Sequence, residues 1–283
     1  MLVSRMQPYS LWDYYATSIG VGVRSLFGGF QREAAARIIN PLSYPRLMEY
    51  ELTLGPLGPL DGMRVLDIGS PKLPSLLIAR DGKCELYTTD IRDYFIGATA
   101  DFLRRLGQGP RLGRDLHLQV QDARHLTYPD RFFDRIFSIS VLEHVPDDGD
   151  SIAMRDIARV LKPGGVLTLT VPFSAKGYHE EFLTGPVYER EEQGRPTFYQ
   201  RYHDIDSLHR RLIEPSGLQL VKTTFFGEPR VPFERYWNRI PMKWKAPLLW
   251  AQPFLGRLFL KELAVGQVGA ACGVAVVLRK TLD

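Results

Sequence analysis

An open α/β sheet wound on both faces by helices is the fold class this sequence predicts. Three observations predict it. Apolar strand-like runs alternate with helical periodicity from Arg64 to Phe173. Aspartates stand at the ends of the first three runs, or just past them, in chain order, at Asp67, Asp90 and Asp122. A well-marked helix then ends in Lys162, Pro163, Gly164 and Gly165 and feeds another strand.

Taken in order, the first 60 residues lack strand character and carry aromatic and small residues at helical spacing. They are expected to form a helical N-terminal cap, closed by the punctuated run from Leu54 to Pro59. Residues 61–283 are expected to form the main domain, with insertions at 174–203 and 231–266. Strands are expected over 65–68, 86–89, 116–120, 135–141 and 166–171, joined by right-handed crossovers into a parallel sheet. The helix after Asp147, Asp148 and Asp150 has acidic residues suited to a helix N-terminus, and Ala153, Ile157, Val160 and Leu161 form its buried stripe. Later elements are expected as a helix over 204–213 and strands over 218–226 and 272–278.

At 283 residues and 45% hydrophobic the chain is long enough for one elaborated α/β domain. Its net charge of +4 is too small to nominate a nucleic-acid partner. Two isolated cysteines, Cys84 and Cys272, make neither a disulfide framework nor a metal cluster, so no metal is expected. The first residues interrupt their apolar stretch with Arg5, Pro8, Asp13 and Arg24, unlike a secretion leader, and no window matches a membrane span. A cytoplasmic location is therefore expected.

In the segment RVLDIGSPKLP the first strand delivers Asp67, Gly69 and Ser70 to the sheet edge, where a glycine lets backbone approach a ligand. Pro71 and Leu73 occupy positions where a glycine-rich loop would carry glycines, and proline has no N–H to donate. That departure counts against a dinucleotide oxidoreductase, whose pyrophosphate needs the fuller glycine pattern. Asp90 is suited to accept hydrogen bonds from both hydroxyls of a ribose, or else caps the following helix. Asp122 is suited to accept from an adenine amino group beside the Ala123 N–H, or else simply forms a turn. In FDRIFSISVLEHV the apolar residues suit a buried central strand, and the small Ser138 and Ser140 leave room beside a cofactor. His144 leaves that strand at the functional edge, either to take a proton from a substrate hydroxyl or only to hold the loop.

Through these motifs the chain from about Leu60 to Phe173 resembles the class I S-adenosylmethionine (SAM) dependent methyltransferases. It is most similar to the methyltransferase-domain group that includes ubiquinone- and menaquinone-biosynthesis enzymes. The resemblance implies a Rossmann-like sheet of seven strands with the last antiparallel. It implies SAM as cofactor, with Asp67, Gly69 and Ser70 under the methionine part, Asp90 on the ribose, Asp122 and Ala123 on the adenine, and Ser138 and Ser140 near the methionine part. SAM is already activated for methyl transfer, so alignment of the acceptor matters more than an elaborate catalytic apparatus.

The acceptor side is expected in the polar segment 174–203, where Tyr199 and His203 would share one face if a helix starts there. A solvated loop is the plainer alternative. Residues 231–262 carry Arg235, Arg239, Lys243, Lys245, Arg257 and Lys261 against Glu234 and Glu262, interleaved with Trp237, Trp244, Trp250, Phe254 and Phe259. Such a mixture suits peripheral contact with the inner face of an anionic membrane or a lid over a greasy substrate, while packing as a satellite core is the alternative. Tyr9, Trp12, Tyr14, Tyr15, Phe27 and Phe30 are expected to join that surface. The function expected is methyl transfer to a small-molecule or lipid-linked acceptor, on oxygen rather than carbon. The alternative is an inactive SAM-fold protein acting as a binding or membrane-surface scaffold.

Overall fold

The computed structural model describes residues 9–26, 31–185, 187 and 195–282; Phe27 and Phe30 lie outside these. Three helices open the chain: α1 (Leu11–Ser25), α2 (Gln31–Ile39) and α3 (Arg46–Leu54). Ser10 and Asp13 cap α1 reciprocally, each side chain satisfying the other's backbone N–H.

The alternating part follows as β1 (Arg64–Ile68), α4 (Leu73–Asp81), β2 (Glu85–Asp90), α5 (Asp93–Arg105), β3 (Leu116–Val120), β4 (Phe133–Ile139), α6 (Gly149–Val160) and β5 (Leu161–Pro172). A hairpin of β6 (His179–Leu183) and β7 (Thr197–Tyr202) comes next. A helical stretch then runs through α7 (Ile205–Leu208), a π turn (His209–Ile213) and α8 (Glu214–Ser216) to β8 (Gln219–Gly227). The C-terminal insertion holds α9 (Phe233–Arg239), α10 (Met242–Lys245), α11 (Gln252–Phe259) and the short β9 (Lys261–Glu262), before β10 (Ala271–Arg279).

The main sheet has the order β3-β2-β1-β4-β5-β10-β8-β9. Strands β1 to β5 pair in parallel, whereas β10 runs antiparallel to both β5 and β8. The expected seven strands are joined by an eighth, because β9 adds a two-residue edge to β8. The central strands β1, β2, β4, β5 and β10 are largely buried on both faces, as a doubly covered sheet requires. Leu66, Ile68 and Ile136 meet α6 and the helical stretch after β7 on one side. Val65, Phe137 and Ile139 meet α1, α3, α4 and α5 on the other, so the N-terminal helices share the core of the main domain. No helix among the described residues is long and apolar enough to cross a membrane.

The segment 197–202 corrects one expectation. Thr197, Phe198 and Tyr199 favour an extended chain, and the run pairs with β6 as a strand rather than starting a helix at Tyr199. The helix begins only after Asp204, whose carboxylate accepts from Ser207 N while Asp204 N donates to Ser207 Oγ. The strand also buries Arg201 completely against Asp150, at 2.5 Å, and Arg211 grips the same carboxylate at 2.8 and 2.9 Å. Asp150 therefore serves as the anchor of a buried ion triad, and the expected N-terminal capping role is secondary.

Breaking a buried ion pair leaves the partner charge stranded, whereas replacing both members with apolar residues does not. Asp150→Ala should lose about 3–5 kcal/mol of stability, and Asp150→Leu combined with Arg201→Met should recover most of the loss. Denaturant melts of the three proteins check this; equal losses in the single and double variants would contradict it.

Candidate active site

Crossovers from β1 lead to β2 and β3 on one side, while β4 lies on its other side, so the sheet has a switch point between β1 and β4. A crevice opens there beyond the carboxyl ends of the strands. It holds a cavity of about 960 Å³, bordered by Gly69, Ser70, Asp90, Asp122, Ala123, Ser140 and His144 among the expected residues. Asp67, Ser138, Tyr199 and His203 do not border it.

The turn after β1 is fixed from beneath. Asp67 is fully buried; it accepts from Ser70 N at 3.1 Å and from the Ser75 hydroxyl. Ser70 Oγ in turn accepts from Ile139 N at 3.0 Å, which ties the turn to β4. Ser138 donates to Ile68 O at 3.2 Å and acts in the same lattice. Gly69 has φ of 63°, and a Cβ there would meet Val141 Cγ1 at 2.9 Å, so only glycine fits. Its N–H donates to Thr89 O. With Gly69 and Ser70 N–H groups used internally and Pro71 lacking one, the loop presents a side chain to the cavity instead: Lys72.

Lys72 Nζ lies 2.8 Å from Asp90 Oδ2, and both side chains are nearly buried. Asp90 Oδ1 accepts from Arg92 N at 3.2 Å. Arg92 is the N-cap residue of α5 and makes no side-chain cap, so Asp90 lies two residues before the N-cap and does not cap the helix. Its carboxylate retains lone pairs for further donors. Asp122 forms the turn that is one of the two readings offered for it. Its Oδ1 accepts from Arg124 N at 2.9 Å in a turn, while Arg124 grips both carboxylate oxygens and holds the acid below its usual range.

At the other end of the cavity Ser140 has φ of 51°, an uncommon value for a residue other than glycine. Its hydroxyl donates to Glu49 Oε1 at 3.0 Å, and Arg46 binds the second oxygen of Glu49 at 2.5 Å. His144 Nδ1 sits 2.8 Å from Tyr199 O. A carbonyl can only accept, so Nδ1 carries the proton and Nε2 of the neutral ring is the basic nitrogen. Tyr199 thus meets the site through its backbone and through a ring 5.2 Å from that of His144. His203 is wholly buried away from the cavity, and burial pushes its imidazole down to about 4. Neither property suits it to take a proton from a molecule in the crevice.

Beside His144, Glu143 is 1% exposed and its Oε2 has no hydrogen-bond partner among the described residues. Burial, reinforced by the Glu49 carboxylate, pushes Glu143 up to about 8, so it holds a proton at neutral pH. Sequence reasoning missed Lys72, Arg46, Glu49 and Arg124 as contributors. The only signal was the lysine set between Pro71 and Leu73. Among the described residues no group of three or more His, Cys, Asp or Glu is placed to hold a metal ion.

Residues 66–169 match the family model described as a methyltransferase domain. Methyltransferase GfsG of Streptomyces halstedii is 30% identical over 174 residues, 60% of this chain and 58% of that protein. The ubiquinone/menaquinone biosynthesis C-methyltransferase UbiE of Bordetella avium is 37% identical over 125 residues, 43% of this chain and 45% of its own length. The chain thus spans about half the length of these curated relatives. Geranyl diphosphate C-methyltransferase from Streptomyces coelicolor, solved with Mg2+, geranyl diphosphate and S-adenosyl-L-homocysteine, superposes with a TM-score of 0.53 at 12% identity. That match covers 92% of this chain and 87% of the other, and it speaks to fold alone.

Glu143 has a folded pKa raised above its unfolded value, so its contribution to stability is full at low pH and is lost as pH rises through about 8. Glu143→Gln mimics the protonated acid. The variant should lose less stability than the parent between pH 5.5 and 8.5, measured by thermal melts; parallel pH profiles would show that Glu143 does not titrate there.

Proposed function

With a class I SAM-dependent methyltransferase domain as the premise, to which family this chain belongs, we propose that the protein transfers a methyl group to a small-molecule or lipid-linked acceptor. The observation that carries this reading is the crevice gathering Gly69, Asp90, Asp122, Ala123, Ser140 and His144 at the switch point of the sheet. The cavity, at about 960 Å³, has room for SAM and an acceptor together. Asp90 would hold the ribose, Asp122 and Ala123 the adenine, and Gly69 with Ser140 the methionine part. Asp67, Ser70 and Ser138 would keep those groups in place from below.

The cofactor supplies an activated methyl group. The chain's own task is then to align the acceptor and to accept its proton. Oxygen is favoured as the methylated atom because His144 borders the cavity with its tautomer fixed by Tyr199 O, its Nε2 lying 3.7 Å from Glu143 Oε1. Carbon methylation, the reaction named for the Bordetella relative, is the competing reading. A non-catalytic scaffold is the second reading, and the ion pair that Lys72 makes with the ribose-binding candidate Asp90 is the observation in its favour.

Peripheral membrane contact at the cytoplasmic face belongs to the same reading. Trp12, Met242, Trp244 and Leu258 are each more than 60% exposed, and α1 meets α11 through Trp12 and Phe254. The basic excess of 231–262 would complement anionic lipid. Trp237 with Phe233 and Phe259 forms the buried underside of that insertion, so satellite packing accounts for part of it.

S-adenosylhomocysteine titrated by calorimetry should bind the protein, and Asp90→Ala should weaken binding by about 1.5–3 kcal/mol. Absence of binding to the parent protein would favour the scaffold. In an acceptor screen with labelled SAM, His144→Gln should lower turnover about 100-fold or more while cofactor affinity holds; unchanged turnover would point to an acceptor that needs no base. Sedimentation should show binding to phosphatidylglycerol vesicles that falls in Trp244→Ala combined with Trp250→Ala, and retention of full binding would remove this surface from contact.

A further inference from the structure

The turn that follows β4 walls one end of the large cavity with His144, Val145 and Pro146. It is bounded by two residues other than glycine in the left-handed region, Ser140 with φ of 51° and Asp147 with φ of 55°. Such backbone persists only where the surroundings over-determine it. At the first boundary the hold is the Ser140 hydroxyl on Glu49. At the second it comes from outside the alternating core, from β7 and from the helical stretch after it.

Arg201 on β7 is the centre of that hold. Its side chain is 0% exposed; Nη2 donates to Val145 O at 2.7 Å and to Asp147 O at 3.0 Å, while Nη1 faces Asp150. A guanidinium is planar and carries five N–H donors, so it can serve a carboxylate and two carbonyls at once. Arg211 adds a second donor at Asp147 O. Two residues before Arg201, the same strand offers Tyr199 O to His144 Nδ1 at 2.8 Å. Strand alternation puts the side chains of Tyr199 and Arg201 on one face of β7, and that face is seated on the turn. Strand β6 is largely exposed, so the hairpin meets the body through β7, whose end is tied to β5 by His203 N on Pro172 O at 3.1 Å.

A buried ion pair contributes little net stability relative to apolar residues of the same volume. The donors that Arg201 turns to the two carbonyls are a separate contribution, and they act on the cavity wall. We propose that Arg201 is a positioning residue for the transfer reaction: through Val145 O and Asp147 O it fixes the turn so that His144 keeps Nδ1 on Tyr199 O and its ring at the cavity. This rests on the methyltransferase reading above and deepens it. No described residue of 174–203 borders the cavity, so the insertion serves the acceptor side from behind the wall.

The test reads the tautomer of His144 by nitrogen NMR on protein carrying isotope-labelled histidine, its signal picked out among the six histidines by its loss in His144→Gln. The parent should show the proton on Nδ1, the less common tautomer of a free imidazole. Asp150→Leu combined with Arg201→Met, in which stability is expected to be largely kept, should lose that signature. Arg201→Lys, which keeps a cation for Asp150 without the planar fork, should lose it too. Denaturant melts establish which variants are folded. A merely structural role for Arg201 would lower stability and leave the tautomer as it was. The proposal is overturned if the parent lacks the Nδ1–H signal, or if either folded variant keeps it in full. S-adenosylhomocysteine added to the parent should also shift the His144 signal, because the ring borders the cavity; binding without any shift would place His144 outside the reaction and overturn the proposal as well. Should S-adenosylhomocysteine fail to bind while the tautomer still depends on Arg201, the methyltransferase reading falls and the hold of Arg201 on His144 stands.

Discussion

The buried carboxylate of Asp67 is the constraint on which the site depends. It lies at 0% exposure under the first turn and is satisfied by Ser70 N and the Ser75 hydroxyl, one donor from the turn and one from α4. Burial pushes it up to about 6, with nearby Lys72 opposing the shift. Through Ser70 the same arrangement reaches β4 at Ile139, and Thr89 Oγ1 donates to Asp67 O from β2. The side chain and the backbone carbonyl of Asp67 together tie the ends of three neighbouring strands. Buried polar networks of this kind specify geometry when every member is satisfied.

Above that base the crevice is held by charge rather than by backbone dipoles. A glycine-rich turn offers a ligand a row of N–H groups at fixed positions. Here the turn uses its N–H groups to stabilise itself and projects an ammonium, which sits against Asp90. The Asp90 carboxylate is thereby held in one orientation by Lys72. Arg124 does the same for Asp122 and Arg46 for Glu49. The crevice is thus a set of acid–base couples, each with capacity for a further partner.

The alternating core was legible because strand and helix periods differ and because the three aspartates fall in order at or just past strand ends. Val65 and Leu66 supply opposite faces of one strand, and that pattern reads directly from sequence. What sequence did not disclose were the partners of the polar residues. Nothing local says that Asp150 meets Arg201 and Arg211, or that Ser140 meets Glu49, because those contacts join elements far apart in the chain. Tyr199 and His203 illustrate the limit. Spacing alone cannot distinguish a helix from a strand there, and only tertiary pairing put one beside His144 and buried the other. Lys72 was visible but its direction was not.

The clasp between α1 and the C-terminal insertion has a consequence for biosynthesis. Tyr15 OH donates to the backbone carbonyl of Trp250, 235 residues away, and Tyr44 N donates to Gln252 Oε1. During synthesis α1 therefore waits, with Tyr15 uncovered, until the segment carrying Trp250 and α11 has left the ribosome. Closing so distant a pair requires ordering a very long intervening chain. The face of α1 that carries Tyr15 is thus exposed for the length of each round of translation.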